Sequence, residues 1–154
     1  MVSAAGVYFV AARLSAMDVH CALTIRNVPD VDILISNVEG SALAALQVKT
    51  ATSASRRPTK GPSRYEWDIG PKSARLNSPS LWFALVDLKE FKALPDIFFV
   101  PSKVMAEYFR PGMNKRPMYK ETEQNMEQYK NCFDGVLEPA RAGMTHGGGP
   151  ALPE

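Results

Sequence analysis

The sequence predicts an α/β fold with a mixed central sheet flanked by helices. Apolar residues at helical spacing open the chain, short β-prone segments separated by turn residues follow, and an uninterrupted apolar run lies near the middle. An order of helix, three strands, loop, two strands and two helices is typical of a sheet covered by helices. The 154 residues fit one domain.

The first helix is predicted from Val2, Ala5, Phe9 and Ala12, which recur at helical spacing. A second apolar stripe indicates that this helix is buried on two sides. Arg13 interrupts the apolar start before it is long enough to span a bilayer, and the basic start of a signal peptide is absent. We therefore expect a soluble, cytoplasmic protein with no membrane partner.

Three strands are predicted next, at 19–25, 31–36 and 42–50. Turn residues separate them, and the second turn ends in Gly40. Two β-prone runs joined by a short loop that ends in glycine indicate an antiparallel hairpin. The second and third strands should therefore lie side by side.

The rest of the chain is predicted from its apolar runs and its turn residues. The continuous apolar run at 81–88 indicates a strand covered on both faces. Short strands are predicted at 65–69 and 97–100, and helices at 103–109 and 121–131. The chain is rich in Gly and Pro from 138 onward, so we expect one domain over 1–137 and a disordered tail over 138–154.

Three polar residues come together if the hairpin pairs as predicted. Asp32 opens the second strand, and Gln47 and Lys49 close the third, two residues apart and so on one face. Val48 then faces the opposite layer. Mg²⁺ prefers oxygen ligands and retains several waters, so the Asp32 carboxylate, the Gln47 amide oxygen and the Val48 carbonyl are candidate ligands. Lys49 is placed to assist an attacking water and to offset phosphate charge.

Asp32, the hairpin and Gln47-x-Lys49 resemble the core signature of the PD-(D/E)XK nuclease superfamily. The Gln variant is similar to restriction enzymes that cleave modified DNA, and Holliday-junction resolvases are more distant. The resemblance covers roughly residues 6–110 and implies a restriction-endonuclease-like α-β-β-β-α-β core, a divalent metal and a nucleic-acid substrate. Segments similar to small stand-alone bacterial members are Gly6-x-Tyr8-x-Val10-Ala11-Ala12-x-Leu14, Asn27-x-Pro29-x-Val31-Asp32-Ile33-Leu34, Gln47-Val48-Lys49-Thr50, Phe83-x-x-Val86-Asp87-Leu88 and Val100-Pro101-Ser102.

The sequence departs from the superfamily pattern at two positions. Val7 stands where related proteins often carry a Glu in the first helix, and Gln47 replaces the commoner second acid. Asp32 is then the one clear carboxylate ligand, with Glu39 in the turn as a further candidate. A site with one carboxylate should bind Mg²⁺ weakly unless substrate phosphate contributes ligands.

Basic residues are concentrated after the third strand. Residues 49–75 hold seven bases against two acids, a net charge of +5. One interpretation is a solvated loop, and the other is an arm that follows phosphates through Arg56, Arg57, Lys60 and Arg64. Tyr65 and Trp67 either stack on bases or fill a core. We expect the core role for Trp67.

These patterns favour metal-dependent hydrolysis of DNA phosphodiester bonds, with Mg²⁺ or Mn²⁺ held by Asp32 and Gln47 and with Lys49 assisting the nucleophile. One alternative is a nucleic-acid binder with a decayed nuclease site, and another is a protein-interaction module carried on mobile DNA. The polar helix predicted at 121–131 is either a solvated face or a homodimer contact. Two isolated cysteines and two isolated histidines form neither a disulfide framework nor a zinc site.

Overall fold

The computed structural model of the protein describes residues 2–24, 30–37, 40, 43–112 and 118–142. Among these residues, seven strands lie between the first and the second α-helix, and three short 3₁₀ segments also occur. In chain order the elements are α1 (Val2–Ser15), β1 (His20–Leu23), β2 (Ile33–Ser36), β3 (Leu43–Ala51), β4 (Ser55–Arg56), β5 (Arg64–Asp68), β6 (Leu81–Asp87), β7 (Asp96–Pro101), α2 (Ser102–Tyr108), β8 (Met118–Thr122), α3 (Glu123–Met126) and α4 (Asp134–Ala142).

The central sheet has five strands in the order β1-β2-β3-β6-β7. Neighbouring strands are antiparallel except β3 and β6, which are parallel. The predicted mixed sheet is therefore confirmed, and so is the antiparallel hairpin of β2 and β3. The buried run predicted at 81–88 forms β6 in the interior of the sheet, between β3 and β7, where both faces are covered.

One face of the central sheet packs against α1 and α4. Val10 and Leu14 of α1 join Val136 and Leu137 of α4 in a core that also contains Val48. α1 approaches β3 closely at Gly6, because a Cβ added to this residue would lie 1.9 Å from the Thr50 Oγ1. The absence of a side chain at position 6 therefore sets how near the first helix lies to the end of β3.

A second, smaller sheet covers the other face. Its three strands lie in the order β4-β5-β8, and all pairs are antiparallel. Tyr65 and Trp67 of β5 contact the Phe98 ring of β7, with ring centroids 4.8 and 5.2 Å away. The Trp67 Nε1–H donates a 3.0 Å hydrogen bond to the Val86 carbonyl. Both aromatic residues are buried, so the core role expected for Trp67 is confirmed and base stacking by either ring is wrong for this conformation.

The helix predicted at 121–131 is wrong. This region contains the end of β8, the four-residue α3 and a 3₁₀ turn at Glu127–Tyr129. Pairing with β5 buries Tyr119 opposite Trp67, and this contact over a long sequence distance overrides the local helical tendency. Thr122 ends the strand and caps α3, because its side chain accepts a 3.2 Å hydrogen bond from the Asn125 N–H.

The remaining boundaries follow the predictions with smaller shifts. α4 continues five residues into the segment predicted as a disordered tail, because Val136 and Leu137 anchor it in the core. Residues 143–154 and the turn residues 27–29, 38 and 39 lie outside the described residues, and the division into a 1–137 domain and a tail stays a prediction. Within the described part of the chain, no helix is long and apolar enough to cross a membrane.

Candidate metal centre

Asp32 lies just before β2, between its neighbours β1 and β3. Its backbone N–H donates a 2.8 Å hydrogen bond to the Leu46 carbonyl, and its carbonyl accepts one of 3.0 Å from the Thr24 N–H. Its side chain reaches one step further along β3, where Oδ2 accepts a 2.7 Å hydrogen bond from the Val48 N–H. The carboxylate therefore accepts a hydrogen bond from β3 at a position where β2 supplies no backbone carbonyl.

Gln47 and Lys49 lie on the same face of the central sheet, and Asp32 lies just before β2, where its carboxylate contacts Val48 between them. Ile33 pairs with Leu46, and both belong to the core under α1. Because side chains alternate along a strand, Gln47 faces the other way. Lys49 follows two residues later on that face, while Val48 is buried under α1, as the strand spacing predicts.

Gln47 carries a buried acceptor that lacks a partner. The residue is 7% exposed, and within the described residues its Oε1 has no hydrogen-bond partner. Leaving a buried acceptor unsatisfied costs about 1–3 kcal/mol, so such an atom in a native fold needs an explanation, and a bound cation is one. The Val48 carbonyl points to the same side of β3 as the Val48 N–H, toward Asp32.

These donors fit a hard divalent cation. They comprise one carboxylate, one amide oxygen and one backbone carbonyl, which are the oxygen ligands that Mg²⁺ and Mn²⁺ accept. In the described ranges, no three or more His, Cys, Asp or Glu side chains are grouped to share a metal. Val7 packs against the core under α1 and adds no oxygen. The donor set therefore fits a site that binds its cation weakly without further ligands.

Lys49 is half-buried and lies beside the apolar face of β6. In the parallel register Gln47 is level with Phe83 and Lys49 with Leu85, and both partners are fully buried. The Lys49 side chain therefore leaves the backbone next to buried apolar residues of β6. An ammonium in such surroundings interacts more strongly with a nearby anion than it does in bulk solvent.

The four bases expected to follow the nucleic-acid backbone lie on or beside the small sheet. Arg57 and Lys60 are exposed in the connection between β4 and β5. Arg56 and Arg64 face each other across those two strands, and both approach Glu66, with N–O distances of 3.9 and 2.7 Å. Burial acts to raise the pKa of Glu66, but hydrogen bonds from Arg64 and Lys120 outweigh it and lower that pKa.

Two residues near the site were not identified from the sequence. Asp87, at the end of β6, is 3% exposed, and its Oδ1 accepts hydrogen bonds from the Ala54 and Lys89 N–H groups at 2.9 and 3.0 Å. It thereby fixes the connection from β3 to β4. The signal was its place in Phe83-x-x-Val86-Asp87-Leu88. Lys120 contacts Glu66 together with Arg64, and it lies on β8, a strand that was not predicted from the sequence.

A solved structure of a bacterial homing endonuclease, I-Ssp6803I, is similar to this chain with a TM-score of 0.61. The similarity covers 93% of this chain and 94% of that chain, at 16% sequence identity. The sequence matches no known protein-family model and no curated protein. The two chains therefore share a fold over nearly their whole length.

Proposed function

We propose that this protein is a metal-dependent nuclease that hydrolyses DNA phosphodiester bonds, with a PD-(D/E)XK-type centre at Asp32, Gln47 and Lys49. The observation that carries the proposal is the 2.7 Å hydrogen bond between the Asp32 Oδ2 and the Val48 N–H, beside the unpartnered Oε1 of Gln47. The fold shared with a homing endonuclease supports it.

Each residue has a separate role in this proposal. Asp32, the Gln47 Oε1 and the Val48 carbonyl would hold Mg²⁺ or Mn²⁺. The cation supplies positive charge that acidifies a bound water and stabilises the phosphoryl oxygens. The Val48 N–H fixes the orientation of the Asp32 carboxylate. Lys49 orients the attacking water and offsets the charge that develops on the phosphate.

Arg56, Arg57, Lys60 and Arg64 would bind the DNA backbone on either side of the cleaved bond. They lie on or beside the small sheet, whose inner face packs on the same side of the central sheet as Gln47 and Lys49. Contacts to phosphates position a protein on its substrate without reading the sequence. Pairing of two copies on a duplex stays a prediction.

A nucleic-acid binder without catalysis is the second candidate. It is favoured by the apolar Val7 in α1. It is also favoured because, within the described residues, Asp32 is not part of a group of three or more His, Cys, Asp or Glu side chains that could hold a metal. This candidate retains salt-dependent DNA binding, because phosphate contacts release counterions, but it shows no metal-dependent cleavage.

Cleavage of plasmid and branched DNA with Mg²⁺ or Mn²⁺ separates the two candidates. We expect the wild-type protein to cut and the Lys49→Ala variant to lose at least about a hundredfold in rate, the scale of a removed electrostatic contact in an active site. Lys103→Ala is the matched control, because Lys103 is exposed at the start of α2 and is not one of the proposed catalytic or DNA-binding residues. Cutting that persists in Lys49→Ala would contradict the site. Salt-sensitive binding without cutting by the wild type would establish the second candidate.

A further inference from the structure

The outer face of the small sheet gathers basic residues from three strands. Arg56 pairs with Arg64 across β4 and β5, and Glu66 pairs with Lys120 across β5 and β8. The alternate residues Tyr65, Trp67 and Tyr119 point inward and are buried. We call Arg56, Arg64, Glu66 and Lys120 the basic face.

Positive charge on the basic face exceeds what its carboxylate can neutralise. Arg64, Lys120 and Arg56 approach Glu66 with N–O distances of 2.7, 3.4 and 3.9 Å. The Glu66 side chain is only 11% exposed, whereas those of Arg56, Arg64 and Lys120 are 48, 39 and 29% exposed. The carboxylate is thus recessed behind three cations whose outer sides remain open to an anion.

A cavity of about 280 Å³ opens beside these cations. Its lining includes Lys60, Arg64, Lys120 and Thr122, together with Glu121. The Glu121 Oε1 accepts hydrogen bonds from the Thr122 N–H and the Asn125 Nδ2, at 2.8 and 2.9 Å, so part of its charge is already satisfied. Three cationic side chains around an open cavity of this size suit a tetrahedral phosphate group.

The basic face lies one layer outside the candidate metal centre. Phe83 and Leu85, level with Gln47 and Lys49 in β6, pack in one core with Tyr65 and Trp67, whose strand carries Arg64 and Glu66. β4 follows β3 after three residues, and the Asp87 carboxylate holds that connection at Ala54. An anion that contacts both the candidate metal centre and the basic face must extend from one layer to the next. A polymer with regularly spaced phosphates meets this requirement.

We propose that the basic face and its cavity form a binding site for backbone phosphates of nucleic acid outside the cleaved bond, with Lys120 as a contact contributed by β8. The proposal rests on the nucleic-acid substrate of the proposed function. Glu66 holds Arg64 and Lys120 in place before binding, and incoming phosphate oxygens take over the outer sides of the same cations. Binding at this site requires no metal.

Binding to a labelled DNA duplex in EDTA, measured by fluorescence anisotropy over a range of salt concentrations, tests the site. Each lost phosphate contact reduces the slope of log K against log salt by about one. We expect this reduction in Lys120→Gln, with affinity roughly five- to tenfold lower near 0.1 M salt. Lys120→Arg should retain the wild-type slope. Lys103→Gln removes an equal charge from the start of α2, outside the basic face and its cavity, and should leave the slope unchanged.

The outcomes separate this site from the catalytic proposal. An unchanged slope in Lys120→Gln, an equal reduction in Lys103→Gln, or no binding of duplex by the folded wild type would overturn the site, even if the protein cuts DNA with metal. A slope reduced only in Lys120→Gln supports the site, even if the wild type never cuts. Thermal unfolding of each variant establishes that it is folded before its binding is compared.

Discussion

The carboxylate of Asp32 accepts a hydrogen bond from the backbone of Val48, across the end of the β2–β3 hairpin. Asp32 therefore has two separable tasks: in the proposed site its charge would bind a cation, and its oxygen accepts a hydrogen bond from an N–H of the sheet. Substitutions that remove one or both properties distinguish the two tasks.

We predict that Asp32→Asn abolishes cleavage and metal binding with little loss of stability, because an amide oxygen can still accept the Val48 hydrogen bond. Asp32→Ala leaves that N–H unsatisfied and should lower the free energy of unfolding by about 1–3 kcal/mol. Urea unfolding of both variants in EDTA measures the difference. Equal destabilisation of the two variants would show that the charge, and not the hydrogen bond, stabilises the hairpin.

The buried Oε1 of Gln47 leads to a prediction in the opposite direction. Gln47→Met retains most of the side-chain volume and removes the unsatisfied acceptor, so the metal-free protein should become more stable by about 1 kcal/mol. The same variant should lose the thermal stabilisation that Mg²⁺ or Mn²⁺ gives the wild type. If Gln47→Met were less stable than the wild type in EDTA, the Gln47 amide would have a hydrogen-bond partner in solution. The main support for its role as a metal ligand would then be lost.

Gln47→Glu tests the metal site by adding a carboxylate. A second negative ligand should raise the affinity for Mg²⁺ by at least about tenfold, because hard cations bind charged oxygen donors more strongly. Without metal, the two neighbouring carboxylates repel and the variant should be less stable than the wild type. Calorimetric titration with Mg²⁺, with Gln128→Glu on the exposed 3₁₀ turn as control, measures the gain. Unchanged affinity would place the cation elsewhere.

The close approach of Gly6 to Thr50 predicts the effect of adding one methyl group. Alanine favours a helix by about 1 kcal/mol over glycine, but its Cβ would overlap the Thr50 hydroxyl. Overpacking of this kind costs typically about 1–3 kcal/mol, so we expect Gly6→Ala to lower the stability overall. Thr50→Ala in the same chain should restore part of it. Denaturant unfolding of the single and double variants tests this coupling, and an additive double variant would contradict the contact.

Asp96 predicts how stability depends on pH. Burial acts to raise the pKa of this carboxyl, but Lys89 and Asn131 donate hydrogen bonds to it and Lys130 adds attraction, so the net shift is downward. A lowered pKa stabilises the fold above the unfolded value of about 4, and this contribution is lost as the pH falls through the folded pKa. Asp96→Asn should therefore be less stable than the wild type at pH 7, and the difference should vanish in acid. A difference that is constant with pH would contradict the ion pairs.

The candidate metal centre could be predicted from the sequence because its parts are local. Asp32 lies just before β2, and Gln47 and Lys49 lie on β3, the next strand in the chain. The two-residue period of a strand places Gln47 and Lys49 on one face. Trp67 was expected in the core for a similar reason, since it alternates with polar neighbours in β5.

The small sheet could not be predicted in the same way. Its central strand, β5, pairs with β8, and β6, β7 and α2 lie between them in the chain. A local sequence pattern does not predict a partner strand at that distance. The segment around Glu121 is polar and forms a helix readily, so the pairing of Tyr119 with Trp67 becomes visible only in three dimensions. The role of Lys120 and the counter-charge of Glu66 depend on that pairing.

The long-range pairing of β5 with β8 also has a consequence for the order in which the protein folds. All residues of the proposed catalytic set lie in β3 or directly before β2, so the hairpin that carries them emerges from the ribosome before β8 does. The small sheet is complete only when Tyr119, which lies 52 residues after its partner Trp67, has been synthesised. Contacts between residues so far apart in the sequence form slowly, because the intervening chain must lose conformational entropy before the contact can form. During synthesis, the hairpin that bears Asp32 and Lys49 is therefore made before the surface that would hold the DNA backbone can assemble.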